Sequence, residues 1–431
     1  MDAASAPPAA ATRGLARLVA RVADVRPGEG LAVLLSAGYF FALLAGMYLV
    51  RPLREEMGIR GGLDRLDRVF LLTFLVMLAA VPLQGWLFAK VRRGRAIPVL
   101  YGFFTLHLVL FAAVFARGGA PWAPHAFFVW VSVYNLFVTS VFWSFMADLF
   151  TSEQGKRLFG LVAAGGSAGA LAGPAAAALL VGPLGIPGVI LLSAVLLTAA
   201  AGSAAALARR AGVRADRVRH EGGGVGGSPF AGFTAVARSP YLAALAVQIV
   251  CVSCTSTFIY FAQARIVKAT LTDPTHRTQL FAGVDLAVNV LSLALQALAT
   301  GRVLSGAGLA LGLALHPTLT AIGIAAMAAS PTLVVLAVVQ GLRRAVHYAI
   351  ERPAREVLFT VVGREDRYKA KGFLDTVVYR GGDAASAGLQ GQLVAAGVGV
   401  GGSQLAALPV VGVWLATALW LARRHARLER P

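Results

Sequence analysis

Residues 83–94, Leu-Gln-Gly-Trp-Leu-Phe-Ala-Lys-Val-Arg-Arg-Gly, close an apolar segment, and residues 295–306, Leu-Gln-Ala-Leu-Ala-Thr-Gly-Arg-Val-Leu-Ser-Gly, close another in the same register. The offset between them is 212 residues, and it extends beyond this stretch. It sets Tyr48 on Tyr260, Glu153 on Glu365, Gly160 on Gly372 and Gly169 on Gly381. Each pair holds a corresponding place in its half, so the chain reads as a duplicated unit. Each unit contains six apolar stretches near the roughly 20 residues needed to cross a bilayer as a helix. The predicted spans are 31–50, 69–89, 97–116, 125–146, 158–181 and 186–207, then 241–262, 279–300, 307–329, 332–350, 373–398 and 405–422. The expected fold class is an all-α membrane protein with about twelve transmembrane helices in two parallel six-helix repeats.

Composition agrees with a membrane chain. Mean hydropathy is +0.72 and only 14% of residues are charged, whereas charged residues make up about a quarter of a soluble domain. The expected organisation is a lead-in over 1–30, a bundle over 31–208, a linker over 209–239, a bundle over 240–422 and a tail over 423–431. In the lead-in, Leu15, Leu18, Val19, Val22 and Val25 recur at helical spacing while Arg13, Arg17 and Arg21 share another face. That pattern suits a cationic helix lying on an anionic leaflet. Asp2 and Asp24 argue against a cleaved targeting peptide, since such peptides are poor in acidic residues. The linker is basic and contains the glycine-rich run 222–229, as flexible connectors do.

The net charge of +19 could suggest nucleic acid, but its distribution follows the membrane. With the spans above, 27 of the 39 Lys and Arg fall on the side of the two chain ends and nine on the other. The positive-inside bias then places both termini in the cytoplasm. No nucleic-acid partner is expected; the bilayer is the partner that the charge describes. Cys251 and Cys254 lie inside an apolar span, without the loop and second ligand pair of a zinc site. They read as buried thiols. The chain has no GxxxxGK[ST] loop, no His/Glu metal pair in a loop and no Gly-x-Ser-x-Gly turn, so no enzyme activity, metal or cofactor is expected.

Function is expected where polar groups enter the membrane, because a charge at midplane costs several kcal/mol unless it faces a partner or a water-filled cavity. In the tenth span Gln340, Arg344, His347, Glu351 and Arg355 recur at steps of three and four, with Arg343 beside them. The offset of 212 sets Arg344 on Ser132, His347 on Asn135 and Glu351 on Thr139, so the fourth span carries a matching polar face. The eighth span aligns Asp285, Asn289, Ser292 and Gln296; the eleventh aligns Asp375, Tyr379, Asp383, Ser386 and Gln390, with Arg380 one turn from Asp383. Arg380 and Asp383 read equally as a mutually neutralised strut or as part of a site. Arg343, Arg344 and His347 have too few acids beside them to be a strut, and an anionic solute would supply the missing charge. Arg51, Arg54 and Glu55 follow the first span. They read either as an interfacial stop with snorkelling arginines or as a charged gate. Gly165, Gly169 and Gly173 recur at steps of four in the fifth span, a spacing that lets helix backbones approach closely.

Several of these stretches resemble known transporters. The loop 85–95, Gly-Trp-Leu-Phe-Ala-Lys-Val-Arg-Arg-Gly-Arg, resembles the loop motif of the major facilitator superfamily, with Ala89 where its aspartate stands. Residues 51–58, 142–148, 156–160, 351–356, 368–375 and 380–383 are similar to the ATP/ADP exchange translocase family, in its broad bacterial branch. The similarity runs from Gly38 to Gln392. It implies a facilitator-like fold, a bacterial inner membrane location and exchange of nucleoside triphosphate for diphosphate. Arg54 stands where the family's exchangers have a lysine after the first span, and Lys371 matches a second lysine at the start of the eleventh. The acids of its fourth and seventh spans fall on Val131 and on the region 260–263.

The expected function is secondary transport by alternating access, with ATP and ADP as the first candidate solutes. The expected substrate contacts are Arg51, Arg54, Asn135, Arg343, Arg344, His347, Lys371 and Arg380. Glu55, Asp285, Glu351, Asp375 and Asp383 would balance charge or couple transport to a gradient. The alternatives are a carrier of another organic anion or of a proton-coupled solute, and a transport-dead membrane scaffold or sensor. Nothing in the chain specifies an oligomer.

Overall fold

The structure is a computed structural model and describes residues 25–26, 28–90, 93–210 and 231–429, without the side chains of 85–96, 231, 364, 365 and 367–369. The expected lead-in helix over residues 13–24, the glycine-rich run of the linker and the side chains of the loop motif lie outside the described residues.

All regular elements described are helices. In the first half they are α1 (Gly30–Arg60), α2 (Leu66–Lys90), α3 (Arg93–Ala116), α4 (Ala123–Leu149) and the stretch Ser152–Arg210. That last stretch is two spans, α5 over 152–184 and α6 over 186–210, because Gly185 breaks it at φ 65°. A side chain rarely adopts that backbone, and glycine does so freely. In the second half a short α7 (Ala231–Arg238) precedes α8 (Pro240–Thr270), α9 (Pro274–Leu295), α10 (Gly308–Ala329), α11 (Leu333–Leu358), α12 over 364–395 and α13 (Val400–Leu428). Ten helices are long and apolar enough to span a membrane. Counting the broken stretch twice and adding α12 gives the expected twelve. The stretch α12 falls short of the ten because its polar residues, among them Asp375, Arg380, Asp383 and Gln390, lower its hydropathy.

The first span is longer than its sequence suggests. The helix α1 does not stop at Val50 but continues through Arg51, Pro52 and Arg54 to Arg60. The reading of this region as an interfacial stop is therefore corrected: Val50, Leu53, Met57 and Ile59 are all buried, so the apolar face persists beyond the charges. A tight seam joins α1 to α5. A Cβ on Gly165 or Gly169 would overlap the backbone oxygen of Ala37 or Phe41, and one on Gly173 would lie 2.7 Å from the Ala45 oxygen. The glycine row thus packs backbone on backbone. At the end of this seam Glu29 accepts hydrogen bonds from Arg157 at 3.0 Å and Gln154 at 2.9 Å. Those bonds, with one from the Arg26 backbone, hold the Glu29 carboxyl down at about 2.

One large apolar cluster joins α1, α3, α4, α5 and α6, whereas the apolar residues of the second half divide into separate clusters. All four π turns described lie in the second half, at Gln296–Thr300, Val303–Ala307, His347–Glu351 and Leu374–Val378. A π turn loosens the backbone ladder and often marks a functional site. Side chains from neighbouring helices bond to the nearby carbonyls: Thr300 Oγ1 donates to the Ala349 oxygen at 2.7 Å and Ser253 Oγ to the Tyr379 oxygen at 2.8 Å.

The described bonds that join the halves run from the middle of the bundle to the end away from the chain termini. Asn289 Nδ2 donates to the Ala170 oxygen at 2.6 Å, Gln279 Nε2 to the Ala178 oxygen at 3.2 Å, and Arg277 Nη2 to Glu56 Oε1 at 2.9 Å. Glu56 is fully buried, so this ion pair is held out of solvent between α1 and α9.

Candidate central cavity

Between the halves lies a cavity of about 280 Å³. The helices α1, α2 and α4 form one wall, and α8, α9, α11 and α12 the other. Its charges come from both. Arg51, Arg54 and Glu55 enter from α1, Asp285 from α9, Arg343, Arg344 and His347 from α11, and Arg380 and Asp383 from α12. The helical recurrence explains the convergence, since residues three and four apart share a face and each face points inward from its own helix.

Five guanidiniums therefore face three carboxylates. Asp285 is shared across the halves, with Arg344 Nη2 at 2.6 Å and Arg51 Nε at 3.5 Å. Arg54 pairs with Glu55 at 2.8 Å and stacks 3.8 Å above the Phe128 ring. Arg380 reaches Asp383 at 3.2 Å, while Ser253 and Thr257 donate to the other oxygen at 2.6 and 3.2 Å. Arg343 is different. It is buried, donates to Ser256 Oγ at 3.0 Å and to Gln340 Oε1 at 3.4 Å, and has no carboxylate partner among the described residues. The Asn135 Oδ1, Arg54 Nε and Arg343 Nε atoms lack hydrogen-bond partners. Buried polar atoms are nearly always satisfied, so these are the open hydrogen-bonding positions of the cavity wall.

The structure thus gathers Arg51, Arg54, Asn135, Arg343, Arg344, His347 and Arg380 with Glu55, Asp285 and Asp383. It leaves three candidate residues elsewhere. Lys371 is outside the cavity, with a 40% exposed side chain 2.6 Å from Glu356. Asp375 is partly exposed and 3.9 Å from Arg355. Glu351 is fully buried behind the cavity wall, beside His347 at 2.9 Å. Conversely, spacing arguments do not reach Ser256, Gln263, Tyr260 and Tyr348, which also line the cavity. Tyr260 carries a signal in its match to Tyr48 at the repeat offset, and Tyr260 and Gln263 bound the region where the resemblance sets the acid of the seventh span.

No family model matches the chain, and no curated protein matches it in sequence. Solved structures do match in shape. A bacterial homologue of the iron transporter ferroportin, inward-facing, superposes with a TM-score of 0.62 at 12% identity, covering 93% of this chain and 98% of that one. A POT family transporter in complex with 5-aminolevulinic acid gives 0.62 at 11% identity, over 93% and 97%. A bacterial homologue of the human lysosomal transporter Spinster, inward-facing and unoccupied, gives 0.58 at 13% identity, over 94% and 99%. At these identities the likeness speaks for architecture alone, and the architecture is that of the major facilitator fold, a multi-pass membrane protein of about twelve helices.

Proposed function

We propose that the chain is a secondary transporter that carries a small organic anion across a bilayer by alternating access of the central cavity. The observation that carries this reading is the excess of guanidinium over carboxylate, with Arg343 buried and without an acid. An uncompensated arginine at the centre of a membrane costs about 2.5–3.5 kcal/mol even on insertion scales. An anion bearing phosphate or carboxylate groups offsets that cost, since guanidinium binds both in a bidentate fork. In this reading the buried Glu56–Arg277 pair would serve as a gate at one end of the cavity, as one state of an alternating carrier requires. The bias of basic residues favours cytoplasmic termini in a bacterial inner membrane, which a reporter fused after Arg214 reads directly.

Nucleotide exchange is the finer reading. It draws support from the resemblance of 351–356 and 368–375 to the translocase family and from Tyr260, Tyr348 and Tyr379 beside the arginines, rings on which a base can stack. Against it, about 280 Å³ is just below the range of about 300–1,000 Å³ typical of small-molecule pockets. A solute smaller than a nucleotide fits without widening. Purified protein in liposomes, offered labelled ATP, ADP, inorganic phosphate and a dicarboxylate with and without internal anion, separates these readings. Uptake of one of them should show a KM raised about tenfold or more in Arg343→Gln, because a charge-assisted bond contributes roughly 1.5–3 kcal/mol. No uptake of any anion, or an unchanged KM in Arg343→Gln, would refute the anion carrier.

A further inference from the structure

Behind the cavity wall, at the junction of α8, α10, α11 and α13, lies a second polar group of residues that the anion reading does not use. The carboxylate of Glu351 and the imidazoles of His347 and His316 present ligand atoms that all lie within 4.8 Å of one another. Glu351 and His316 are both fully buried. His347 Nδ1 lies 2.9 Å from Glu351 Oε2, and the His316 and His347 rings are 5.0 Å apart. His347 and Glu351 are the two ends of the π turn, and residues four apart are neighbours on one helix face. Neither nitrogen of His316 has a hydrogen-bond partner, nor do Trp414 Nε1 and Gln248 Oε1. Such a concentration of unsatisfied polar atoms in a fully buried place calls for an explanation.

The surroundings narrow it. On α11 itself the group faces Arg343, Arg352 and Arg355, with the Tyr348 ring 5.1 Å from that of His347. From α8 comes Gln248, whose Nε2 is 3.5 Å from Glu351 Oε1, and from α13 comes Trp414, whose ring is 4.6 Å from that of His316. From α12 comes Asp375, 3.9 Å from Arg355, and from α9 comes Gln296, bonded to the Tyr348 oxygen. One carboxylate among several arginines is a poor host for a divalent cation. A single proton between the Glu351 carboxylate and the His347 imidazole, 2.9 Å apart, is the smallest charge that such a place can take.

We propose that Glu351, His347 and His316 bind a proton that is transported together with the anion. This rests on the anion-carrier reading above and adds its driving force. His347 belongs both to this group and to the cavity lining, so a proton held here adds positive charge at the anion site. The two bindings then favour one another, and linkage requires the effect to be reciprocal. A proton and an anion taken up from one side are released together on the other. No bond other than that to the proton is made or broken.

Two measurements test this separately from the parent reading. Infrared difference spectra against pH, taken on the reconstituted protein without added solute, should show a carboxyl band that disappears in Glu351→Gln and an imidazole band that disappears in His316→Phe. Absence of titrating bands assignable to these residues would overturn the proton site even if anion transport is real. In liposomes, an inward proton gradient should drive accumulation of labelled inorganic phosphate or ATP in the wild type. Glu351→Gln and His316→Phe should lose accumulation and retain anion-for-anion exchange. Gradient-driven accumulation that persists in both variants, or zinc that co-purifies with the wild type and is required for uptake, would also overturn it. If the wild type moves no anion at all, the carrier reading fails, and the spectra still decide whether the group titrates.

Discussion

Phe104 and His316 occupy equivalent places in the two halves at the repeat offset of 212, yet they meet opposite surroundings. Phe104 packs at 5.4–5.9 Å against the rings of Trp130, Tyr134 and Phe137. His316 stands between His347 and Trp414 with both nitrogens unpartnered. The contrast is general. Among the described residues the first half buries six polar or charged side chains and the second buries twenty. A duplicated scaffold has thus been divided by labour: the first half is built mainly around packed rings, and the second holds most of the buried polar side chains and all the described π turns. Among the described residues, the first half contributes charge to the cavity only through Arg51, Arg54 and Glu55 of α1.

If the first half is the rigid partner, its glycine seam should be the least forgiving place in the molecule. Gly169 and Gly381 are repeat mates, but a Cβ on Gly169 overlaps the Phe41 oxygen whereas one on Gly381 meets only the Phe74 ring, at 3.8 Å. Gly169→Leu should abolish recovery of folded protein in detergent. Gly169→Ala should lower Tm, since overpacking costs about 1–3 kcal/mol, and Gly381→Ala should leave it unchanged. Equal sensitivity of the two positions would break the asymmetry.

A smaller effect is expected from moving polarity into the aromatic wall. Phe104→His places an imidazole among Trp130, Tyr134 and Phe137, where an unsatisfied buried group costs about 1–3 kcal/mol. The Tm of this variant should fall, while His316→Phe, beside Trp414, should match or exceed the wild type. A fall in His316→Phe as large as that in Phe104→His would mean that the buried histidine is a structural element.

The smallest effect is electrostatic. Hydrogen bonds from Arg157 and Gln154 hold the Glu29 carboxyl at about 2, below its usual 4.5. A depressed carboxylate stabilises the fold above its unfolded value and loses that contribution as pH falls through the folded one. The Tm difference between wild type and Glu29→Gln should therefore be full near neutrality and shrink between pH 4.5 and 2. A difference independent of pH would detach Glu29 from the α1–α5 junction.

Much of the architecture is legible in the sequence, because span length, hydropathy and the 212-residue register are local or translational properties. The polar faces of α4 and α11 are legible for the same reason: Asn135 and His347 match in the repeat and meet in the cavity. What escapes depends on contacts between helices. His316 is a lone polar residue in the apolar stretch 307–329, and only the approach of α11 gives it a partner. Lys371 looks like a binding cation by resemblance alone, yet just before the eleventh span it pairs with Glu356. Arg51 and Arg54 look like a membrane boundary, because hydropathy drops there. Packing of α1 against both halves carries the helix through to Arg60.

The central claim is that residues from both halves line one anion-binding cavity, and paired accessibility tests it most directly. Cysteine is introduced at Asn135 or at His347, in a background lacking Cys251 and Cys254. Modification by a small water-soluble thiol reagent is then followed with and without whichever of ATP, ADP or inorganic phosphate the vesicles take up. Reaction at both positions, with protection of both by the same anion, is the predicted result. Reaction at only one, or protection of neither while transport continues, would contradict the account and leave the polar faces of α4 and α11 as structural seams.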